Sequence, residues 1–186
     1  MNKILTMFVC LLAAAGALAQ KAPQKQSLTL TTTAFQDGGI IPNKYTQAAK
    51  GTAVSPALQW SHVPEGTVSF TLVLHDPDTT LNKTTDQYLH WLIFNIPGSA
   101  RSLPQDVPPD AKLPDGAIQA MNSAHTVGYR GMGASAAGPY HHYTFEMFAL
   151  NTKLDLGPDA TLPEVMKAME GHVLQKGVLV GRFHRP

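Results

Sequence analysis

The stretch Val68-Ser69-Phe70-Thr71-Leu72-Val73-Leu74-His75-Asp76 decides the fold class. Val68, Phe70, Leu72 and Leu74 alternate with Ser69, Thr71, Val73 and His75, the two-residue period of a pleated strand whose successive side chains point to opposite faces. The even-numbered side is expected to face the core. One further step at the same parity puts Asp76 on that core side, immediately before Pro77, which has no N–H to continue a ladder. A carboxylate there is costly unless it is paired. Asp76 is therefore the first candidate site residue.

Two more strands stand out. His90 to Ile96 is apolar at nearly every position, reads as buried on both faces, and ends at Pro97-Gly98. His141 to Leu150 places His141, Tyr143, Phe145, Met147 and Ala149 on one face and His142, Thr144 and Glu146 on a more polar one. Between them lie two long irregular stretches, 98–117 and 122–140, of the kind that is functional when it occurs in a compact domain. Thr161-Leu162-Pro163-Glu164 is a capping-box pattern and predicts a helix over 162–171 with Val165, Met166 and Met169 as its apolar stripe. Val173 to Phe183 reads either as a last strand or as a second short helix. From Leu28 onward, short apolar stretches separated by Gly, Pro, Asn and Asp predict one mainly β domain over 28–186, a sandwich with one or two short C-terminal helices.

The three strands carry polar groups at their ends. His90 is read at the parity of Leu92, Phe94 and Ile96, and His141 and Tyr143 lie on the apolar face of theirs. If the first two strands pair antiparallel, the end of one lies beside the start of the other, so Asp76 and His90 become neighbours across the loop 77–89. A carboxylate beside imidazoles favours their charged form, and two imidazolium groups with a Tyr hydroxyl could donate to phosphate oxygens. Affinity for a small anion is then expected to fall as pH rises through the histidine range. Gly131, Gly133 and Gly138 would let backbone N–H groups come close to such a ligand. Taken singly, each histidine also reads as a hydrogen-bonded core or rim residue. His62 and His125 fall in loops, His172 near a helix end and His184 near the terminus, and these four read as surface or capping residues.

The N-terminus reads as a secretory leader over 1–19: Met1-Asn2-Lys3, an apolar run from Ile4 to Ala15, then Ala17-Leu18-Ala19 before Gln20. The run is shorter than the roughly 20 residues of a membrane span, so cleavage near Ala19 and a periplasmic or secreted protein without stable membrane insertion are expected. An uncleaved anchor is the alternative. Residues 20–27 are a polar connector. The single cysteine, Cys10, lies inside the leader, which leaves no thiol for a disulfide, a thiolate metal site or a nucleophile. Losing Lys3 with the leader leaves 13 Lys plus Arg against 13 Asp plus Glu. That balance, with no basic run, argues against nucleic acid as a partner.

Five strings in order, Ser55-Pro56-Ala57-Leu58-Gln59-Trp60, Asp76-Pro77-Asp78, His90-Trp91 leading to Asn95-Ile96-Pro97-Gly98, Gly128-Tyr129-Arg130-Gly131, and His141-His142-Tyr143, resemble the phosphatidylethanolamine-binding family in its bacterial Raf-kinase-inhibitor-like branch. The resemblance implies a two-sheet β-sandwich with C-terminal elements at one end and a pocket for phosphate-like anions, with no cofactor, no metal and no settled reaction. It places the family's pocket residues on Asp76, Tyr88 and His90 and its His-Arg-Tyr motif on His141, His142 and Tyr143, and it suggests a homodimer. Together with the glycine and turn readings, the expected ligand-binding set is Asp76, Tyr88, His90, Gly133, His141 and Tyr143, with Asp78, Trp91 and His142 in support. The chain departs from the family pattern at His142, where arginine is usual, at Ala134 and Ser135, where paired prolines are usual, and at Thr80. A loop without those prolines is expected to be less pre-organised.

The leading functional reading is an exported, non-enzymatic binding protein for a small anionic or phosphorylated molecule, with occupancy regulating a protein partner of unknown identity. Kinase inhibition does not carry over, because an exported chain would meet no such kinase in its own compartment. The alternatives are a protease-inhibitor-type protein or a hydrolase using the same pocket, either with a metal held by the two His and Asp76, or with Ser135 as nucleophile beside His141.

Overall fold

Residues 69–80 form a strand with a partner on each side, and that central place governs everything near the site. The computed structural model describes residues 26–80 and 83–186; the expected leader and most of the connector lie outside the described residues. In chain order the elements are β1 (Thr29–Thr31), β2 (Gly39–Ile40), a 3-10 turn (Asn43–Tyr45), β3 (Leu58–Ser61), β4 (Ser69–Thr80), β5 (Gln87–Pro97), β6 (Ser102–Leu103), β7 (Ile118–Gln119), β8 (His141–Leu150), α1 (Leu162–Met169) and β9 (Val173–Phe183). They make a three-stranded sheet, β1-β3-β6, and a six-stranded one, β2-β9-β8-β4-β5-β7. This is the mainly β, two-sheet sandwich that the sequence predicts, with one short helix among the described residues.

The inner core lies between the sheets. Leu30, Leu58, Trp60 and Leu103 from the small sheet cluster with Phe70, Leu72, Leu74, Ile93, Phe145 and Met147 from the large one. Trp60 meets Phe70 edge-on at 5.3 Å between ring centroids. Each such side chain is worth about 1.5–3 kcal/mol when removed from water. The even-numbered face of β4 is indeed the inner one. Val68, however, lies outside the strand and is 45% exposed. The odd-numbered face is not a solvent face either, because a second cluster covers it: Val73, Leu92, Phe94, Phe148 and Leu150 pack with Leu154, Val165 and Met169. Ser69 and Thr71 are buried there as well, which a polar-apolar alternation does not reveal.

The helix that closes this second layer starts as predicted. The Glu164 carboxylate accepts the Thr161 N–H at 2.8 Å and the Thr161 hydroxyl at 2.7 Å. It ends at Met169, before Gly171 turns the chain at φ 79°. Val165 and Met169, one turn apart, are buried, whereas Met166 is rotated away and exposed. Val173 to Phe183 resolves as a strand, not a helix: it pairs with β8 along its length, from Val173 opposite Leu150 to Phe183 opposite His141. Its glycines fit that role. A Cβ at Gly177 would sit 2.8 Å from the Leu28 carbonyl oxygen.

β4 runs antiparallel to both β5 and β8. Its C-terminal end therefore adjoins the N-terminal ends of both neighbours. β5 also carries two one-residue irregularities. Leu74 pairs with Trp91 but His75 pairs with Leu89, so His90 is an extra residue on its strand; a second slip separates Phe70 opposite Ile96 from Leu72 opposite Ile93. Asn95, in the second slip, has φ 57°. Its side-chain amide donates to the Leu154 carbonyl and accepts the Leu154 N–H, at 2.9 and 2.8 Å, which ties the sheet to the segment ahead of the helix.

Candidate functional site

The strand ends enclose a cleft of about 380 Å³, lined by Asp76 and Thr79 from β4, Tyr88 and His90 from β5, His141 and Tyr143 from β8, and Gln47, Arg130, Gly133, Ala134 and Ser135 from two loops. All six side chains or glycines expected to bind ligand thus share one cavity. His90 is there for a different reason from the one its sequence parity suggests. Leu92 and Phe94 belong to the outer cluster, and a regular strand would carry His90 outward with them. The extra residue at His90 turns its ring inward beside Trp91, the usual effect of a bulge on local side-chain direction. The rings of Tyr88 and His90 lie 4.8 Å apart and those of His90 and Tyr143 5.2 Å apart.

Asp76 is 3% exposed, yet both oxygens of its carboxylate are hydrogen-bonded. One oxygen accepts the Asp78 N–H at 2.9 Å; the other accepts the Thr79 hydroxyl at 2.9 Å and His141 Nδ1–H at 2.8 Å. Those bonds offset the cost of burying the charge. They also fix the His141 ring, leaving Nε2 uncommitted. His90 Nδ1–H donates to the Arg130 carbonyl at 2.9 Å. Burial holds His90 down at about 4, outweighing the opposing pull of that bond and of Asp76. It is therefore a neutral imidazole at physiological pH, and the expected pair of imidazolium donors is corrected on this point: His90 offers an acceptor nitrogen, not a charge.

The Tyr143 phenol accepts the Ala134 N–H at 3.1 Å. Burial, reinforced by the Asp76 charge, pushes it up to about 12, so it keeps a proton to donate. Arg130 is the residue that sequence reasoning overlooked. Its Nε is buried without a hydrogen-bond partner among the described residues, and no ion pair among those residues includes its guanidinium. Gln47 and Thr79 were likewise not foreseen. Gln47 arrives from a loop docked by its N–H on the Met132 carbonyl at 2.8 Å, a contact with no local signature. The signals available for Arg130 were its place in the string Gly128-Tyr129-Arg130-Gly131 and its being a lone arginine in a loop of otherwise low charge.

The three supporting residues separate. Trp91 is fully buried behind the cleft, donating to Gln119 at 2.7 Å. His142 alternates to the outer face of β8, where its N–H and ring both bond to Asp78, at 2.6 and 2.9 Å, on half-exposed surface. That contact clamps the Asp-Pro-Asp turn to β8 and holds the Asp78 carboxyl below its ordinary value despite some burial. The glycines serve the protein's own packing. A Cβ on Gly131 would lie 2.7 Å from Ala53 Cβ, and one on Gly133 2.5 Å from the Gln47 amide, whereas Gly138 has room.

The Ser135 hydroxyl accepts the Ala137 N–H at 3.3 Å, and among the described residues no hydrogen bond joins it to Nε2 of His141, the nitrogen a base would use once Nδ1 is held by Asp76. Among the described residues, no three His, Cys, Asp or Glu side chains are placed to hold one metal ion. Nor is any helix among them long and apolar enough to cross a membrane.

A two-sheet β-sandwich with a cleft at the ends of three adjacent strands is the class of protein that this fold defines. The model of the phosphatidylethanolamine-binding protein family matches residues 31–184, and the chain belongs to that family. A UPF0098 protein of Methanothermobacter thermautotrophicus is 42% identical over 158 residues, covering 85% of this chain and 99% of the relative. The crystal structure of Escherichia coli YbcL, described as a member of the mammalian PEBP family, aligns with a TM-score of 0.77 at 28% identity, covering 87% of this chain and all of that one. A Mycobacterium tuberculosis protein named as a candidate lipoprotein, LppC, is 33% identical over 163 residues, covering 87% of this chain and 75% of the relative.

Proposed function

We propose that this chain is an exported, non-enzymatic binding protein whose strand-end cleft takes a small phosphate-type anion, with occupancy read by a protein partner. The observation that carries the reading is the balance of uncommitted groups in the cleft. Its buried carboxylate, Asp76, already accepts from Asp78, Thr79 and His141, with both oxygens engaged. What remains to meet a ligand is the Arg130 guanidinium, the Tyr143 hydroxyl proton, Nε2 of His141, which donates when that ring carries its second proton, and the acceptor nitrogen of His90, a set in which donors prevail and which suits anionic oxygens. A cleft of about 380 Å³ suits a small molecule. Export rests on the leader pattern from Met1 to Ala19, and the name of the Mycobacterium tuberculosis relative is compatible with it.

Titration calorimetry with methyl phosphate near pH 6 is the direct test. Binding that weakens severalfold in His141→Ala and in Tyr143→Phe supports the reading. No heat from the wild-type protein, or equal affinity in both variants, rejects it. Export is tested separately by N-terminal sequencing of protein recovered outside the cytoplasm, which should begin at Gln20.

A further inference from the structure

Arg130 faces more than one cavity. Besides the strand-end cleft it lines an adjoining one of about 270 Å³, together with Thr46, Gln47, Thr52, Thr126 and Gly131. Gln47 and Arg130 line both, so the two spaces adjoin at these side chains. No acidic side chain lines the second cleft. Most of its polar side chains are already committed within the protein. The Thr46 hydroxyl donates to Asn43 and accepts from Ala48, the Gln47 amide bonds Gly131 and Arg185, and the Thr126 hydroxyl bonds Asn122. Thr52 and Arg130 are left without side-chain partners among the described residues.

A guanidinium carries five N–H donors in a planar fork, more than one phosphate can occupy from one side. The Arg130 side chain is partly exposed, but its Nε lies out of water with no partner among the described residues, and a polar atom left so is costly unless a ligand meets it. We propose that Arg130 makes the strand-end cleft one half of a two-part anion site, so that the preferred ligand carries two anionic groups, a phosphate among His141 and Tyr143 and a carboxylate beyond Arg130 toward Thr52. The inference rests on the phosphate reading above and adds a selection rule to it. A phosphate ester bearing an ammonium group would bring that cation against Arg130 and bind more weakly than the plain ester.

Calorimetry at pH 7 with methyl phosphate, 2-phosphoglycolate and phosphoethanolamine separates the possibilities. The wild-type protein should prefer 2-phosphoglycolate to methyl phosphate by about tenfold, the scale of one added charge-assisted contact, and should rank phosphoethanolamine last. Arg130→Gln should erase both differences. Thr52→Glu, at an exposed rim position, should weaken 2-phosphoglycolate more than methyl phosphate and provides a second variant where folding is not at stake. Equal affinities for the three probes in the wild-type protein, or a uniform loss for all three in Arg130→Gln, would overturn the two-part site while leaving the phosphate cleft standing. Failure of the wild-type protein to bind methyl phosphate would instead reject the underlying reading.

Discussion

Replacing Asp76 by Asn tests the link between burial, charge and site geometry. The side chain is 3% exposed and accepts three hydrogen bonds. An amide can keep the bond from the Asp78 N–H, but its NH₂ group cannot accept from Thr79 or from His141 Nδ1. Thr79 can rotate to accept, and His141 can move its proton to Nε2, so two bonds to a buried charge become two weaker neutral ones. Bonds to charged groups contribute roughly 1.5–3 kcal/mol each and neutral ones about 1, so the net loss should be about 1–4 kcal/mol. For a domain of this size that corresponds to a fall in Tm of roughly 2–16 °C. Methyl phosphate affinity should fall severalfold at the same time, because the His141 ring exchanges its bond to a carboxylate for a weaker one to an amide. Asp78→Asn is the control. That carboxylate is 40% exposed and pairs with a half-exposed His142, so its loss should cost no more than about 1 kcal/mol. Urea unfolding and calorimetry on both variants decide the matter. An Asp76→Asn protein within about 0.5 kcal/mol of wild type, with unchanged phosphate affinity, would refute the reasoning.

Two further outcomes concern the frame around the site. Glu146 bonds to His75 and, at 2.7 Å, to Lys176, and its carboxyl is held at about 2 against an ordinary 4.5, chiefly by the His75 bond. A depressed carboxyl adds stability that is present above its unfolded value and is lost as pH falls through its folded one. Glu146→Gln should therefore cost on the order of 1 kcal/mol at pH 6, and urea midpoints of the two proteins should converge between pH 4.5 and 2; a constant gap across that window would contradict the assignment. Asn95→Ala should cost about 3 kcal/mol, about 1 from left-handed backbone and the rest from two lost buried bonds to Leu154. Asn95→Gly should recover the backbone share only, and equal stability of the two variants would remove the backbone account.

How far the sequence reaches is visible in individual residues. The period of two through Phe70, Leu72 and Leu74 fixes their inward direction because a pleated strand leaves no other option, and the five motif strings identify the family. The β8 boundaries, His141 to Leu150, follow from the same alternation. The capping box at Thr161 and Glu164 starts the helix because its bonds are local. Leader, cleavage point and connector remain readings of the sequence alone.

What the sequence by itself determined, then, is the set of things governed by neighbours along the chain: strand period, helix start, family motifs and the strand-end placement of Asp76, His141 and Tyr143. Only the tertiary structure decided the rest. It buried the odd face of β4 under a helix nearly a hundred residues away, turned His90 inward through an extra residue on β5, and brought Gln47 and Arg130 to the cleft from separate loops. It also made His90 neutral, since burial depends on what the whole chain folds over the ring. These outcomes rest on contacts between residues distant in sequence, and a local pattern carries no record of them.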